Sequence, residues 1–218
     1  MKDYTILIYG RSGSGKSTSL RNLPQEKIYY LNVEGKDLPY RHSKLNKHVK
    51  PTTLTQVQES LKEAVTDDSV EIIIVDSITM LGEILAYNAF VKDSGDSRGG
   101  WLHLRDWMVN MIEFAKKSEK TFIFIGLEMD IMNEKEYVTE TRPKMVGSLK
   151  DSLSSHFTTV LRSIVRDVDG EIKYQFQTNR TSEAFNTECK SPMGMFEPYI
   201  DNDMALVLQR MNKYYSDE

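Results

Sequence analysis

Eight residues near the start of the chain, Gly10-Arg11-Ser12-Gly13-Ser14-Gly15-Lys16-Ser17, fit the pattern G-x-x-x-x-G-K-[ST] at every defined position. Their surroundings give the pattern its meaning. Tyr4–Tyr9 reads as a short buried strand rich in β-branched and aromatic residues. A helix is expected to start near Lys16 and to stop at Pro24. In a strand, glycine-rich turn and helix of this kind, successive backbone N–H groups point inward and cradle phosphates, aided by the positive end of the helix. Lys16 then supplies charge to the β- and γ-phosphates and the Ser17 hydroxyl ligates Mg²⁺. Gly10, Arg11, Ser12, Gly13, Ser14, Gly15 and Thr18 complete the expected nucleotide-binding set.

Further apolar runs at Ile28–Val33, Ile72–Val75 and Thr121–Ile125 read as buried strands. Between them, Leu54, Val57, Leu61 and Val65 recur at helical spacing, as do Leu104, Trp107, Met108, Met111 and Phe114. A helix is also expected from about Met80 to Val91. Lys92–Gly100 reads as a polar loop, and residues 129–150 carry no regular period. Phe157–Val168 and Glu171–Gln177, joined by Asp169-Gly170, predict a β-hairpin, and Asp203–Tyr214 predicts a last helix. Strands alternating with helices, then a hairpin, predict an α/β fold: a mostly parallel sheet flanked by helices, with a C-terminal antiparallel β-hairpin extension. Proline and glycine are sparse and no stretch reads as a linker, so residues 1–218 are expected to form a single domain.

The net charge of −4 excludes, as a total, the strongly basic balance of many nucleic-acid binders. Cys189 is the only cysteine, which excludes an intramolecular disulfide and a cysteine-based zinc site. The four histidines show no ligand spacing. The N-terminus lacks a signal-peptide h-region, and no apolar run has the length of a membrane span, so a cytoplasmic protein with no membrane partner is expected. Arg41–Lys50 is basic and reads as a solvated charge run in preference to a phosphate-contacting surface, and Trp101 falls near the apolar stripe of its helix.

Two strand ends add carboxylates. Asp76 closes Ile72–Val75, and ligands of parallel sheets bind at the carboxyl edge of the strands, so Asp76 is a candidate Mg²⁺ ligand; a helix N-cap satisfies the same position. Glu34 ends Ile28–Val33 at the same edge, where a carboxylate can act as general base on a water; a plain surface glutamate satisfies the spacing equally.

Tyr30-Leu31-Asn32-Val33-Glu34-Gly35, followed by Ile74-Val75-Asp76-Ser77, resembles the RecA-like P-loop ATPases, and the whole chain resembles their compact, core-only phage branch of single-strand annealing proteins and recombinases. The resemblance implies ATP and Mg²⁺ as cofactors and single-stranded DNA as a partner. It also implies a homo-oligomer, ring or filament, with ATP at the protomer interface, a single-strand-binding protein as a further partner, and the host cytoplasm as location. Glu34 becomes the catalytic base beside Lys16. Lys190 becomes the residue reaching a neighbour's γ-phosphate, although Pro192 stands where a second basic residue is expected. Glu128 takes the part of the polar sensor, since Leu127 occupies its usual place, and the loops after residues 91 and 128 become DNA-facing. Two alternatives stay open: a small-molecule kinase, which needs an arginine-bearing lid where residues 129–150 contain only Arg142, and a nucleotide-gated adaptor or loader for a replication protein.

Overall fold

A computed structural model describes residues 3–42, 44–133 and 138–216. Ser43 of the basic run and residues 134–137 of the segment 129–150 lie outside the described residues. Nine strands form the sheet among the described residues: β1 (Thr5–Gly10), β2 (Ile28–Asn32), β3 (Lys47–Val49), β4 (Ile72–Asp76), β5 (Thr121–Asn133), β6 (Val138–Pro143), β7 (Thr159–Val168), β8 (Glu171–Gln177) and β9 (Tyr199–Asp201). Their order is β3-β2-β4-β5-β1-β7-β8-β9, with β6 paired to the outer half of β5. From β3 to β7 every pairing is parallel; β8 and β9 add antiparallel strands at one edge, as the sequence predicts.

The central strands are buried on both faces because their apolar residues alternate between two cores. Leu7, Tyr9, Leu31, Ile73, Val75, Phe122 and Phe124 face one core. It is closed by helices α1 (Leu54–Thr66), α2 (Ile78–Met80), α3 (Tyr87–Phe90) and α4 (Ser97–Lys116). Ile6, Ile8, Tyr30, Ile74, Ile123 and Ile125 face the other, closed by α5 (Met204–Ser216) and by Leu20 and Leu23. α1 starts where Thr53 accepts the Gln56 N–H at 3.2 Å, a side-chain cap, and it buries Leu54, Val57, Leu61 and Ala64.

Five expectations are corrected. The helix expected from Lys16 is a single 3₁₀ turn, Thr18–Leu20. Ser19 turns its hydroxyl back onto the Lys16 carbonyl at 2.5 Å, and Pro24 leaves no room for a second turn. A helical turn does begin at the loop, with the Ser19 N–H donating to the Gly15 carbonyl at 2.9 Å, but it is not continued into a regular helix. Residues 129–150 are not irregular: β5 runs on past the sheet to Asn133 and folds back as β6, with Glu128↔Pro143 to Asn133↔Val138 in antiparallel register. The polar loop after Val91 is shorter than expected, because α4 begins at Ser97. The helical stretch after Asp76 has a π-helical middle, Leu81–Ala86, between α2 and α3. Phe114, placed on the buried stripe of α4, is 39% exposed, while Ile112 and Ala115 take the core side. No helix among the described residues is long and apolar enough to cross a membrane.

Candidate functional site

Register brings the chemistry together. Asn32 of β2 lies opposite Asp76 of β4, Asp76 opposite Ile125 of β5, and Gly10 of β1 opposite Leu127 of β5. β1, β2 and β4 thus end along one line where β5 leaves the sheet, and a cleft of about 900 Å³ opens there. Ser12, Gly13, Gly15, Lys16, Ser17 and Thr18 line it from the loop; Glu34 and Asp76 line it from the strand ends. The Val33 and Glu34 N–H groups both donate to the Asp76 carbonyl, at 2.6 and 3.2 Å, so backbone bonding fixes the two carboxylate-bearing strand ends against each other.

The loop's shape follows from its glycines. Gly13 and Gly15 sit at φ +78° and +95°, in the left-handed region that residues with a Cβ adopt only at a cost. Gly10 has no room for a side chain: a Cβ there would lie 2.4 Å from the Ser163 carbonyl oxygen on β7. The Lys16 Nζ folds back to donate to the Gly10 and Arg11 carbonyls at 2.9 and 2.8 Å. Burial lowers its pKa, opposed first by the negative charge of Asp76 and then by that of Glu34.

Ser17 Oγ donates to Asp76 Oδ2 at 2.8 Å, across 59 residues of sequence. Asp76 is buried, and burial raises its pKa; hydrogen bonds from Tyr30 and Ser17 work against that shift. A hydroxyl and a carboxylate at the mouth of a phosphate-shaped loop are hard oxygen donors, the set that Mg²⁺ takes alongside nucleotide phosphates. The Ser14 Oγ is buried with no hydrogen-bond partner. The residues present therefore fit a Mg²⁺–nucleotide pair. Glu34 is mostly buried and pairs with Lys36 at 2.8 Å; the glutamate raises the lysine's pKa chiefly through that hydrogen bond.

Two expected site residues stand elsewhere. Glu128 is almost fully buried and outside the cleft lining. Its carboxylate accepts from Arg11 at 2.9 Å and from Arg162 at 3.0 and 3.1 Å, while Arg11 also reaches Asp130 at 2.7 Å. Lys190 lies in a second cavity of about 600 Å³ that shares no residue with the first, and Arg180 lines it beside Lys190. The sequence reading looks for a second basic residue at position 192 and does not weigh Arg180, whose guanidinium donates to the Thr187 carbonyl at 3.0 Å. Lys92 and Arg98 are exposed on either side of the short turn after Val91, and Trp101 packs against Tyr87.

The sequence reading also missed the far wall of the cleft. Tyr174 of β8 and Asp201, Asn202 and Asp203 line it. Ser163 Oγ donates to the Ser14 carbonyl at 2.7 Å, and Asn202 Nδ2 donates to Ser163 Oγ at 2.9 Å. The Arg21 guanidinium donates to the Asn202 carbonyl at 3.0 Å and Asn22 to Asp203 at 2.6 Å. No local motif announces these residues; they meet the loop only because β7 lies next to β1.

Comparison with known proteins gives a family and a fold. Residues 2–191 match a family model described as an AAA domain. Among solved structures, the fold is similar to that of a KaiC-like protein from the hyperthermophilic archaeon Pyrococcus horikoshii, at 12% identity and a TM-score of 0.53, covering 85% of this chain and 82% of that one. The RadB recombinase is another match, at 16% identity and a TM-score of 0.47, covering 81% of this chain and 88% of that one. No curated protein sequence matches significantly. With 190 consecutive residues matched, running from before the phosphate loop to beyond Lys190, the chain belongs to the AAA domain family and carries it on a RecA-like P-loop fold.

Proposed function

We propose that this protein binds and hydrolyses ATP with Mg²⁺, and couples hydrolysis to single-stranded DNA during annealing or recombination of phage DNA. The observation that carries the hydrolysis is the meeting of Lys16, Ser17, Asp76 and Glu34 on one cleft. Lys16 turns from its two carbonyl partners to the β- and γ-phosphates. Ser17 and Asp76 hold Mg²⁺, which supplies charge neutralisation on the phosphate oxygens when bound. Glu34 orients a water and accepts its proton.

ATP at a protomer interface of a ring or filament would let Lys190, with Arg180 beside it, act on the neighbour's γ-phosphate. Both lie outside their own chain's cleft, as a residue acting in trans must. The DNA reading rests on the family resemblance and on the exposed Lys92 and Arg98. The ribbon formed by β5 and β6 supports it less, because Arg142 is held by Glu140 and Asp151 and Arg11 by Glu128 and Asp130. The same pairing of Arg142 argues against a kinase lid, whose arginine must be free to close on a donor phosphate.

The test is steady-state phosphate release from ATP, with and without single-stranded DNA, for the native protein and Glu34→Gln. The expected outcome is stimulation by DNA that Glu34→Gln loses while still binding ATP. A rate indifferent to both DNA and Glu34→Gln would overturn the reading.

A further inference from the structure

Tyr30 lies on the central strand β2, opposite Ile74 of β4, with its side chain fully buried. A phenylalanine would fill that space equally well, so packing alone does not account for a phenol. Its hydroxyl donates to Asp76 Oδ2 at 2.6 Å and lies beside the Ser17 hydroxyl. The same carboxylate oxygen accepts the Ser17 hydroxyl at 2.8 Å. A carboxylate oxygen offers about two lone-pair directions, so these two donors fill Oδ2. The second oxygen, Oδ1, is left as the free acceptor.

We propose that Tyr30 is a positioning residue for divalent-metal binding: by holding Oδ2 from behind, its phenol fixes the rotation of the Asp76 carboxylate and directs the Ser17 proton onto it. With that proton committed to Asp76, the lone pairs of Ser17 Oγ are free for a metal. A phenol suits this task because it donates a strong hydrogen bond without bringing a positive charge that would cancel the carboxylate. Water would donate as well, but Tyr30 is itself locked in the core, with the His48 ring edge-on at 5.6 Å. Partners behind a metal ligand act on affinity through orientation, and their loss costs about 10–100-fold in metal binding.

The inference rests on the assignment of Ser17 and Asp76 as metal ligands, and the experiment separates the two. Binding of a fluorescent N-methylanthraniloyl-ATP is titrated with Mg²⁺, and measured in EDTA, for the native protein, Tyr30→Phe and Asp76→Asn, with thermal unfolding of each variant alongside. The expected result for Tyr30→Phe is a half-saturating Mg²⁺ concentration raised about ten-fold or more, with nucleotide binding in EDTA unchanged. A merely structural role would lower the melting temperature and leave the Mg²⁺ midpoint in place, which overturns the inference. If Asp76→Asn shifts the midpoint and Tyr30→Phe does not, only the role of Tyr30 fails. If neither shifts it, the metal assignment fails and the role of Tyr30 falls with it.

Discussion

Arg11, inside the phosphate loop, donates to Glu128 at the point where β5 leaves the sheet, 2.9 Å away and 117 residues distant in sequence. Glu128 meets Arg162 of β7, the strand beyond β1, as well, so one buried carboxylate ties the loop, the ribbon and β7 together. The two arginines are not equivalent: the Arg11 side chain is 71% exposed and that of Arg162 only 18%.

Removing Glu128 strands a mostly buried guanidinium, whereas removing Arg11 gives up two solvent-screened pairs, to Glu128 and Asp130. Glu128→Ala should therefore cost about 3 kcal/mol of stability, and Arg11→Ala clearly less because solvent screens its pairs. Urea unfolding of the two variants measures the difference, and equal costs would contradict the account.

Gly10 and Gly13 should respond differently to the same change. A methyl group at Gly10 meets a backbone carbonyl that cannot step aside, whereas at Gly13 it meets open space and only the positive φ resists it. Gly10→Ala is expected to cost about 3 kcal/mol and Gly13→Ala about 1 kcal/mol. Thermal melts will rank them.

How much of this was legible in advance depends on distance along the chain. Lys16 and Ser17 announce themselves because the loop is contiguous, and Asp76 and Glu34 because a strand end in a parallel sheet points to one edge whatever the strand order. Glu128 reads as a polar residue just after the apolar run Thr121–Ile125, but its arginine partners come from β7 and from the loop, which no local pattern announces. Tyr174, Ser163 and Asn202 were invisible because only the placing of β7 beside β1 brings them to the loop. Pro24 is legible as the stop of the short helix after Lys16, whereas the turn back of the Ser19 hydroxyl onto the Lys16 carbonyl is not.

Acid should weaken the fold through His48. The Gly35 N–H bonds Asn32 Oδ1 at 2.9 Å and Asn32 Nδ2 bonds the Lys36 carbonyl at 2.6 Å, which fixes the amide. Its Nδ2 therefore donates to His48 Nε2 at 3.1 Å, and His48 accepts only when neutral. Burial first, then His42 and Lys50, hold its pKa below the usual imidazole value, with Asp37 opposing. As pH falls, the unfolded chain takes up this proton before the folded one does. The His48 contribution is then complete above about pH 6.5 and is lost as pH drops below it. His48→Gln should lose less stability than the native protein between pH 7.5 and 5.5, and a parallel loss in both would remove His48 from the explanation.

Action in trans predicts complementation. Lys16→Ala lacks a working cleft but keeps Lys190; Lys190→Ala keeps the cleft. Each alone should release little phosphate from ATP, and an equal mixture should recover part of the native rate. A mixture no better than the sum of its parts would place Lys190 outside the reaction.

The hydrogen bonds from Asn202 through Ser163 to Ser14 join residues 188 positions apart. A ribosome makes the loop long before its brace. Every residue of the phosphate motif is therefore present in the nascent chain well before the loop has its support, and the loop takes its braced shape only once synthesis has passed Asn202.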